Sequence, residues 1–201
     1  MTIQFYGAPM SSAARTHLVL EECGVPYEYH RVNTRDPEAK AAYAKVNPSG
    51  KIPFIIDGDL RLVESIAINF YLVEKYAPQL WSADVAERAQ IYSWSLWGIS
   101  TLQHEGLRVM HHSMIVAPEH RSAFEVETGK KNTQRYLDQF ETDLPASGFL
   151  VGGRLTVADL NVATVASMTT MIGAGKLGPR GQAWLDAIKA RPSFKKASTA
   201  G

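Results

Sequence analysis

A proline at the head of an apolar run is the strongest constraint in this chain. In Asn47-Pro48-Ser49-Gly50-Lys51-Ile52-Pro53-Phe54, Pro53 opens a strand-like stretch and removes a backbone donor that a sheet interior would use. Further on, Glu64-Ser65-Ile66-Ala67-Ile68 sets an acid and a hydroxyl where a strand over 60–63 meets a helix over 66–76. The free N–H groups of such a helix start converge on one spot, which suits a carboxylate. Asp57-Gly58-Asp59 between them predicts a tight hairpin, because positive φ angles suit Asp-Gly.

The flanking pattern extends this unit. Residues 3–6 read as a strand, broken by Gly7-Ala8-Pro9 before Ser11 or Ser12 caps a helix that runs to Cys23 and stops at Gly24. Residues 27–32 read as a second strand, 37–46 as a helix with proline in its first turn, and 52–56 as a third strand. The order is βαβα and then ββα, the thioredoxin-like layout of a mixed four-stranded sheet with helices on its faces.

Beyond Tyr76 the composition shifts at Ala77-Pro78-Gln79-Leu80-Trp81-Ser82, and the remainder is helical by periodicity. Ile91, Trp94, Gly98 and Leu102 share one helical face; Thr133, Leu137, Phe140 and Leu144 share another. Thr156 and Asp159 form a capping box, with Leu155 and Leu160 as its hydrophobic staple. A last helix is expected to stop before Pro192. The fold class is therefore α+β, with a thioredoxin-like domain over 1–77, a linker over 78–83 and an all-helical domain over 84–201.

Composition narrows the function. Of 201 residues 45% are apolar, enough for one sizeable core or two small ones, and 21 basic against 20 acidic residues leave no field for nucleic acid or an anionic membrane. The single cysteine, Cys23, excludes a disulfide framework, a Cys-x-x-Cys redox pair and a cysteine-built zinc site. With no signal-peptide pattern and no apolar run of membrane-spanning length, a soluble cytoplasmic protein is expected. Walker, Gly-x-Gly-x-x-Gly and Gly-x-Ser-x-Gly patterns are missing, which removes the usual nucleotide-binding and hydrolase readings. His104, His111 and His112 do not complete a two-histidine helical metal site, so no metal is expected.

The segments at 47–54 and 64–68 resemble the glutathione-binding half of the cytosolic glutathione S-transferase family. The likeness covers most of the chain and is strongest over 47–76 and 149–160. It implies a transferase of bacterial or fungal type, with glutathione as co-substrate, a small hydrophobic electrophile, a role in detoxification and a homodimer.

The same resemblance assigns roles. It implies a cis bond before Pro53, so that the Ile52 backbone pairs with the cysteinyl unit of glutathione; the residues alone leave an ordinary trans proline on an edge strand open. Glu64 takes the γ-glutamyl ammonium and Ser65 its carboxylate, although Ser65 also suits a plain N-cap. Lys51 meets the glycyl carboxylate or is simply solvated. Trp97, Thr101, His104 and Arg108, at i, i+4, i+7 and i+11, form the wall of an electrophile pocket, or part of the core.

The thiol needs help to ionise: at pKa about 8.5 it is only ~3% thiolate at pH 7. A depression of about two units needs roughly 2.7 kcal/mol. A charge-assisted hydrogen bond of about 1.5–3 kcal/mol, with about 0.3–1 from a helix N-terminus, suffices. Ser11-Ser12-Ala13-Ala14-Arg15 is similar to the Ser-Ser-Pro-Cys-Arg of insect delta transferases and to theta enzymes with serine four before arginine, which makes Ser11 the first choice. Ser12 and Tyr6 are its rivals, since other classes use a tyrosine at the end of strand one. Dehalogenation, ether cleavage or isomerisation would use the same thiolate, and a non-catalytic glutathione- or protein-binding module would use the fold without activating the thiol.

Overall fold

The computed structural model describes residues 2–33 and 35–199. Five-residue strands β1 (Ile3–Gly7) and β2 (Tyr27–Arg31) flank helix α1 (Ala13–Cys23). Helix α2 (Pro37–Val46), strands β3 (Phe54–Asp57) and β4 (Leu60–Val63) and helix α3 (Ser65–Tyr76) follow. The sheet order is β2-β1-β3-β4, with β1 parallel to β2 and antiparallel to β3, and β3 antiparallel to β4. This is the expected thioredoxin-like arrangement.

Local chemistry explains each boundary. Gly24 ends α1 at φ +64, where its N–H bonds the Leu20 and Glu21 carbonyls. Asp36 caps α2 by accepting the Glu38 and Ala39 N–H groups, with Pro37 in the first turn. Gly58, at φ +62, turns the hairpin, so that Asp57 pairs with Leu60 and Phe54 with Val63. The third strand starts at Phe54, two residues later than the apolar run suggests, and the Ile52–Pro53 peptide just before it is cis.

Alternation along β1 sends neighbouring side chains to opposite faces. Phe5 is fully buried and packs its ring on His17 of α1, whereas Tyr6 stacks on His30 and meets Tyr43 of α2 and Phe54. The two faces of the sheet thus each have a core. Burial of each such large side chain contributes about 1.5–3 kcal/mol.

The second unit, Ser82–Lys189, is helical. It holds α4 (Val85–Trp97), a π-helical turn at Gly98–Leu102, α5 (Gln103–Met110) and a second π-helical turn at His111–Ile115. Helices α6 (Ala123–Asp143), α7 (Val157–Met171) and α8 (Pro179–Lys189) complete it. Thr133, Leu137, Phe140 and Leu144 are all buried, as their spacing predicts. At the start of α7 the Asp159 carboxylate is fully buried and accepts from the Thr156 N–H at 2.9 Å, the Thr156 hydroxyl at 3.0 Å, the Leu150 N–H at 2.9 Å and the Trp184 indole at 3.1 Å.

The chain rejoins the first unit from Ala190 onward, whereas composition groups the whole tail with the helical domain. The helix ending at Lys189 stops before Pro192 as expected, but Pro192 then begins a further helix, α9 (Pro192–Thr199). Proline is at ease in a first helical turn. Charge holds α9 in place: Arg191 pairs with Glu22 at 2.6 Å and Lys196 with Glu21 at 2.7 Å, both acids being on α1. Among the described residues no helix is long and apolar enough to cross a membrane.

Candidate functional site

Three chain segments meet at one end of the sheet. The β3–β4 register sets Phe54 opposite Val63, which brings the Ile52–Pro53 end of the hairpin to the Glu64–Ser65 end. The Ser12 hydroxyl at the start of α1 donates to the Ile52 carbonyl at 3.1 Å. Ser11, Ser12, Ile52, Pro53, Glu64 and Ser65 are therefore gathered in one region, with Lys51 exposed at its edge.

The backbone is unusual at two places there. Met10 has φ +58 and Glu64 has φ +68 with ψ 108, the two positive-φ residues other than glycine among those described. A side chain in such a conformation costs about 1–3 kcal/mol and persists where the surroundings impose it, often at a working site. Glu64 directly precedes α3, and its side chain is exposed. Ser65, the first residue of α3, is buried beside the unpaired N–H groups of that helix start.

Ser11 already has local partners. Ser11 donates its hydroxyl to the Ala8 carbonyl at 2.7 Å and accepts the Ala13 N–H at 3.1 Å. It sits beside the positive end of the 11-residue helix α1. Tyr6 lies elsewhere: its ring is 4.5 Å from that of His30, on the sheet face that α2 covers.

Several contributors escape a reading of sequence. Arg15, one turn after Ser11, is buried, and burial pulls its pKa down to about 10, which leaves it cationic at neutral pH. Asn47 and Tyr43 are also buried, and both donate to the Lys51 carbonyl, at 2.9 and 2.7 Å. Asn47 belongs to the motif at 47–54, yet nothing in a linear motif says that its amide turns inward. Cys23 carries a thiol pushed up to about 12, by burial first and then by the charge of Glu22, so it is inert as a nucleophile.

The helical residues Trp97, Thr101, His104 and Arg108 lie on either side of, and within, a π-helical turn. Their spacing presumes 3.6 residues per turn, and the π-helical turn at Gly98–Leu102 inserts extra backbone between them. Trp97 stacks on Phe140 at 5.9 Å and borders a cavity of about 200 Å³ with Trp94, Ser93, Gln139 and Asp143. Thr101 is half-buried and His104 exposed. Arg108 lies between Glu105 at 3.3 Å and Glu125 at 3.2 Å, so its charge is already matched. Among the described residues no group of three or more His, Cys, Asp or Glu side chains is placed to hold a metal.

Comparison with known proteins agrees with this geometry. Residues 1–74 match the glutathione S-transferase N-terminal domain and residues 107–192 the C-terminal domain. Glutathione S-transferase 3 of Zea mays is 31% identical over 96% of this chain and 92% of its own length. Glutathione S-transferase theta-1 of Rattus norvegicus is 30% identical over 94% of this chain and 83% of its own length. The theta class glutathione S-transferase of Xanthomonas axonopodis pv. citri, solved with glutathione bound, superposes with a TM-score of 0.85 at 26% identity, covering 100% of this chain and 98% of that one. A thioredoxin-like sheet with a cis-proline edge, a strained acid before α3 and a serine-rich start to α1 agree with these likenesses: the chain belongs to the glutathione S-transferase family.

Proposed function

We propose that this protein is a glutathione transferase that ionises the thiol of glutathione and directs it at a small hydrophobic electrophile. The observation that carries the reading is the meeting of Ser11 and Ser12 with Ile52–Pro53 and Glu64–Ser65 at one end of the sheet. The Ile52 backbone pairs with the cysteinyl unit, Glu64 takes the γ-glutamyl ammonium, and Ser65 with the α3 N-terminus takes its carboxylate. Lys51 is near enough in sequence and exposed enough to meet the glycyl carboxylate.

Ser11 is the thiol's partner in this proposal, with Ser12 beside it. Its hydroxyl turns from the Ala8 carbonyl to the sulfur and donates to the thiolate. The α1 N-terminus and the buried Arg15 cation one turn along add favourable potential. The thiolate then forms a C–S bond to the electrophilic carbon, the leaving group departs with the bonding electrons, and the thiol proton goes to solvent. The helical unit supplies the electrophile's surface, with Thr101, His104 and Arg108 joined by the exposed apolar side chains Leu107, Met114 and Ile115.

The proposal includes a cytoplasmic homodimer engaged in detoxification. An exposed apolar stripe of Val85, Tyr92 and Leu96 along α4 supports self-association. Calorimetric titration with glutathione, followed by turnover of an activated aryl halide, tests the activity. Binding with turnover is expected; binding without turnover would leave a glutathione-binding module, and no heat would end the proposal.

A further inference from the structure

The loop that carries Ile52 is held from beneath by two buried side chains to which no role has been given. Tyr43 of α2 donates its hydroxyl to the Lys51 carbonyl at 2.7 Å, and the Asn47 amide donates to the same oxygen at 2.9 Å. Tyr43 is 6% exposed and Asn47 4%. Tyr43 cannot swing aside, because its ring is part of the cluster with Val32 and Phe54 on which Tyr6, Ile52 and Ile56 pack.

The orientation of the Asn47 amide is fixed by its neighbours. Its oxygen faces the Ser49 N–H at 3.2 Å, which can only donate, and its nitrogen faces the Lys51 carbonyl, which can only accept. The oxygen also accepts the Ser49 hydroxyl at 2.9 Å, and Ser49 in turn accepts the Lys51 N–H at 3.2 Å. The turn is closed already by the Gly50 N–H on the Asn47 carbonyl at 2.9 Å. Turn formation therefore uses the Asn47 oxygen, and an aspartate would serve it equally well. Donation by the nitrogen to Lys51 answers a different need.

That need follows from peptide geometry. The Lys51–Ile52 peptide is trans, so its N–H points away from its C=O. Drawing the Lys51 oxygen inward toward α2 turns the Ile52 N–H outward, to the side on which an extended peptide would pair. On the α1 side the Ile52 carbonyl is held by Ser12 at 3.1 Å and keeps a second lone pair for another donor.

We propose that Tyr43 and Asn47 are positioning residues for glutathione: by gripping the Lys51 carbonyl they aim the Ile52 N–H at the cysteinyl carbonyl of the tripeptide. The inference rests on the glutathione reading above and adds to it which residues set the tripeptide's register. Neither residue reaches the sulfur, so both govern binding of glutathione and leave its ionisation alone.

The test compares Asn47→Asp and Tyr43→Phe with the wild type. Asn47→Asp keeps the acceptor that Ser49 uses but sets an oxygen against the Lys51 carbonyl; Tyr43→Phe keeps the packed ring and removes one donor. Calorimetry should show the dissociation constant for glutathione raised about tenfold in Asn47→Asp and about threefold in Tyr43→Phe. KM for glutathione should rise in step, with kcat at saturating glutathione and the pKa of the bound thiol staying at wild-type values. Thermal melting of Tyr43→Phe should stay within a few degrees of wild type, which separates aim from collapse. Unchanged affinity in both variants overturns the inference, as does a loss of kcat with a raised thiol pKa. A wild type that gives no heat with glutathione overturns the functional reading itself, and this inference with it.

Discussion

The Ser12 hydroxyl donates to the Ile52 carbonyl across 3.1 Å, joining two residues 40 positions apart. Through that bond the positive end of α1 lies against the edge from which the tripeptide would hang, and Ser11 is carried to the same place. A hydroxyl and a helix start are thereby held close to that edge.

Ser11→Ala should lower kcat/KM by at least about tenfold, equivalent to 1.4 kcal/mol, with the pKa of bound glutathione raised. Tyr6→Phe should change kcat/KM less than about twofold, because that ring packs against His30 and Tyr43 on the other face of the sheet. Steady-state kinetics on both variants decides the matter. A loss in Tyr6→Phe with none in Ser11→Ala contradicts the assignment.

Glu64 and Ser65 should act on binding. Glu64→Ala removes the proposed partner of the ammonium and Ser65→Ala the proposed hydroxyl partner of the carboxylate. Each should raise KM for glutathione about tenfold, the size of one charge-assisted hydrogen bond, and leave kcat nearly unchanged. A fall in kcat at constant KM would place these residues in the chemical step.

Asp57 gives a stability signal that depends on acid. Burial alone would raise its carboxyl, but hydrogen bonds from Lys75 at 2.8 Å, Tyr71 at 2.6 Å and Tyr76 at 2.5 Å bring it down to about 2. The folded value lies below the unfolded one of about 3.9, so this network stabilises the fold fully above that pH. The contribution fades as pH falls toward about 2. Chemical denaturation of wild type and Asp57→Asn should therefore show a gap that is constant near neutrality and narrows across that window. A gap independent of pH would contradict the account.

Asp159 should be needed for folding. Asp159→Ala would strand the buried Leu150 and Thr156 N–H groups and the Trp184 indole, each worth about 1–3 kcal/mol when left unpaired. Urea denaturation should show a loss of at least about 3 kcal/mol, against about 1 kcal/mol for a lost helix cap of the ordinary kind. A loss under 1 kcal/mol would contradict it.

Much of this architecture can be read in the chain, because it is written in local chemistry. The hairpin at Gly58, the stop at Gly24 and the box at Thr156 and Asp159 each rest on residues close in sequence. What stays hidden depends on contacts made at a distance or on departures from ideal geometry. The π-helical turn at Gly98–Leu102 leaves no periodic trace, so the spacing of Trp97, Thr101, His104 and Arg108 presumes an unbroken α-helix that the chain does not keep there. The return of α9 to α1 rests on Arg191 and Lys196 finding Glu22 and Glu21, a pairing of charges far apart in sequence that has no periodicity. At the candidate site, Ser11, Ser12, Ile52, Glu64 and Ser65 are recognisable by motif. Arg15 and Asn47 stand in those motifs and Tyr43 does not, but the part each plays stays hidden because it comes from being buried.

The most direct test of the central claim is a pH titration of thiolate ultraviolet absorbance for glutathione in the presence of saturating protein. The account predicts a bound thiol that ionises about two units below the free value of about 8.5. A bound thiol that titrates like free glutathione would contradict it.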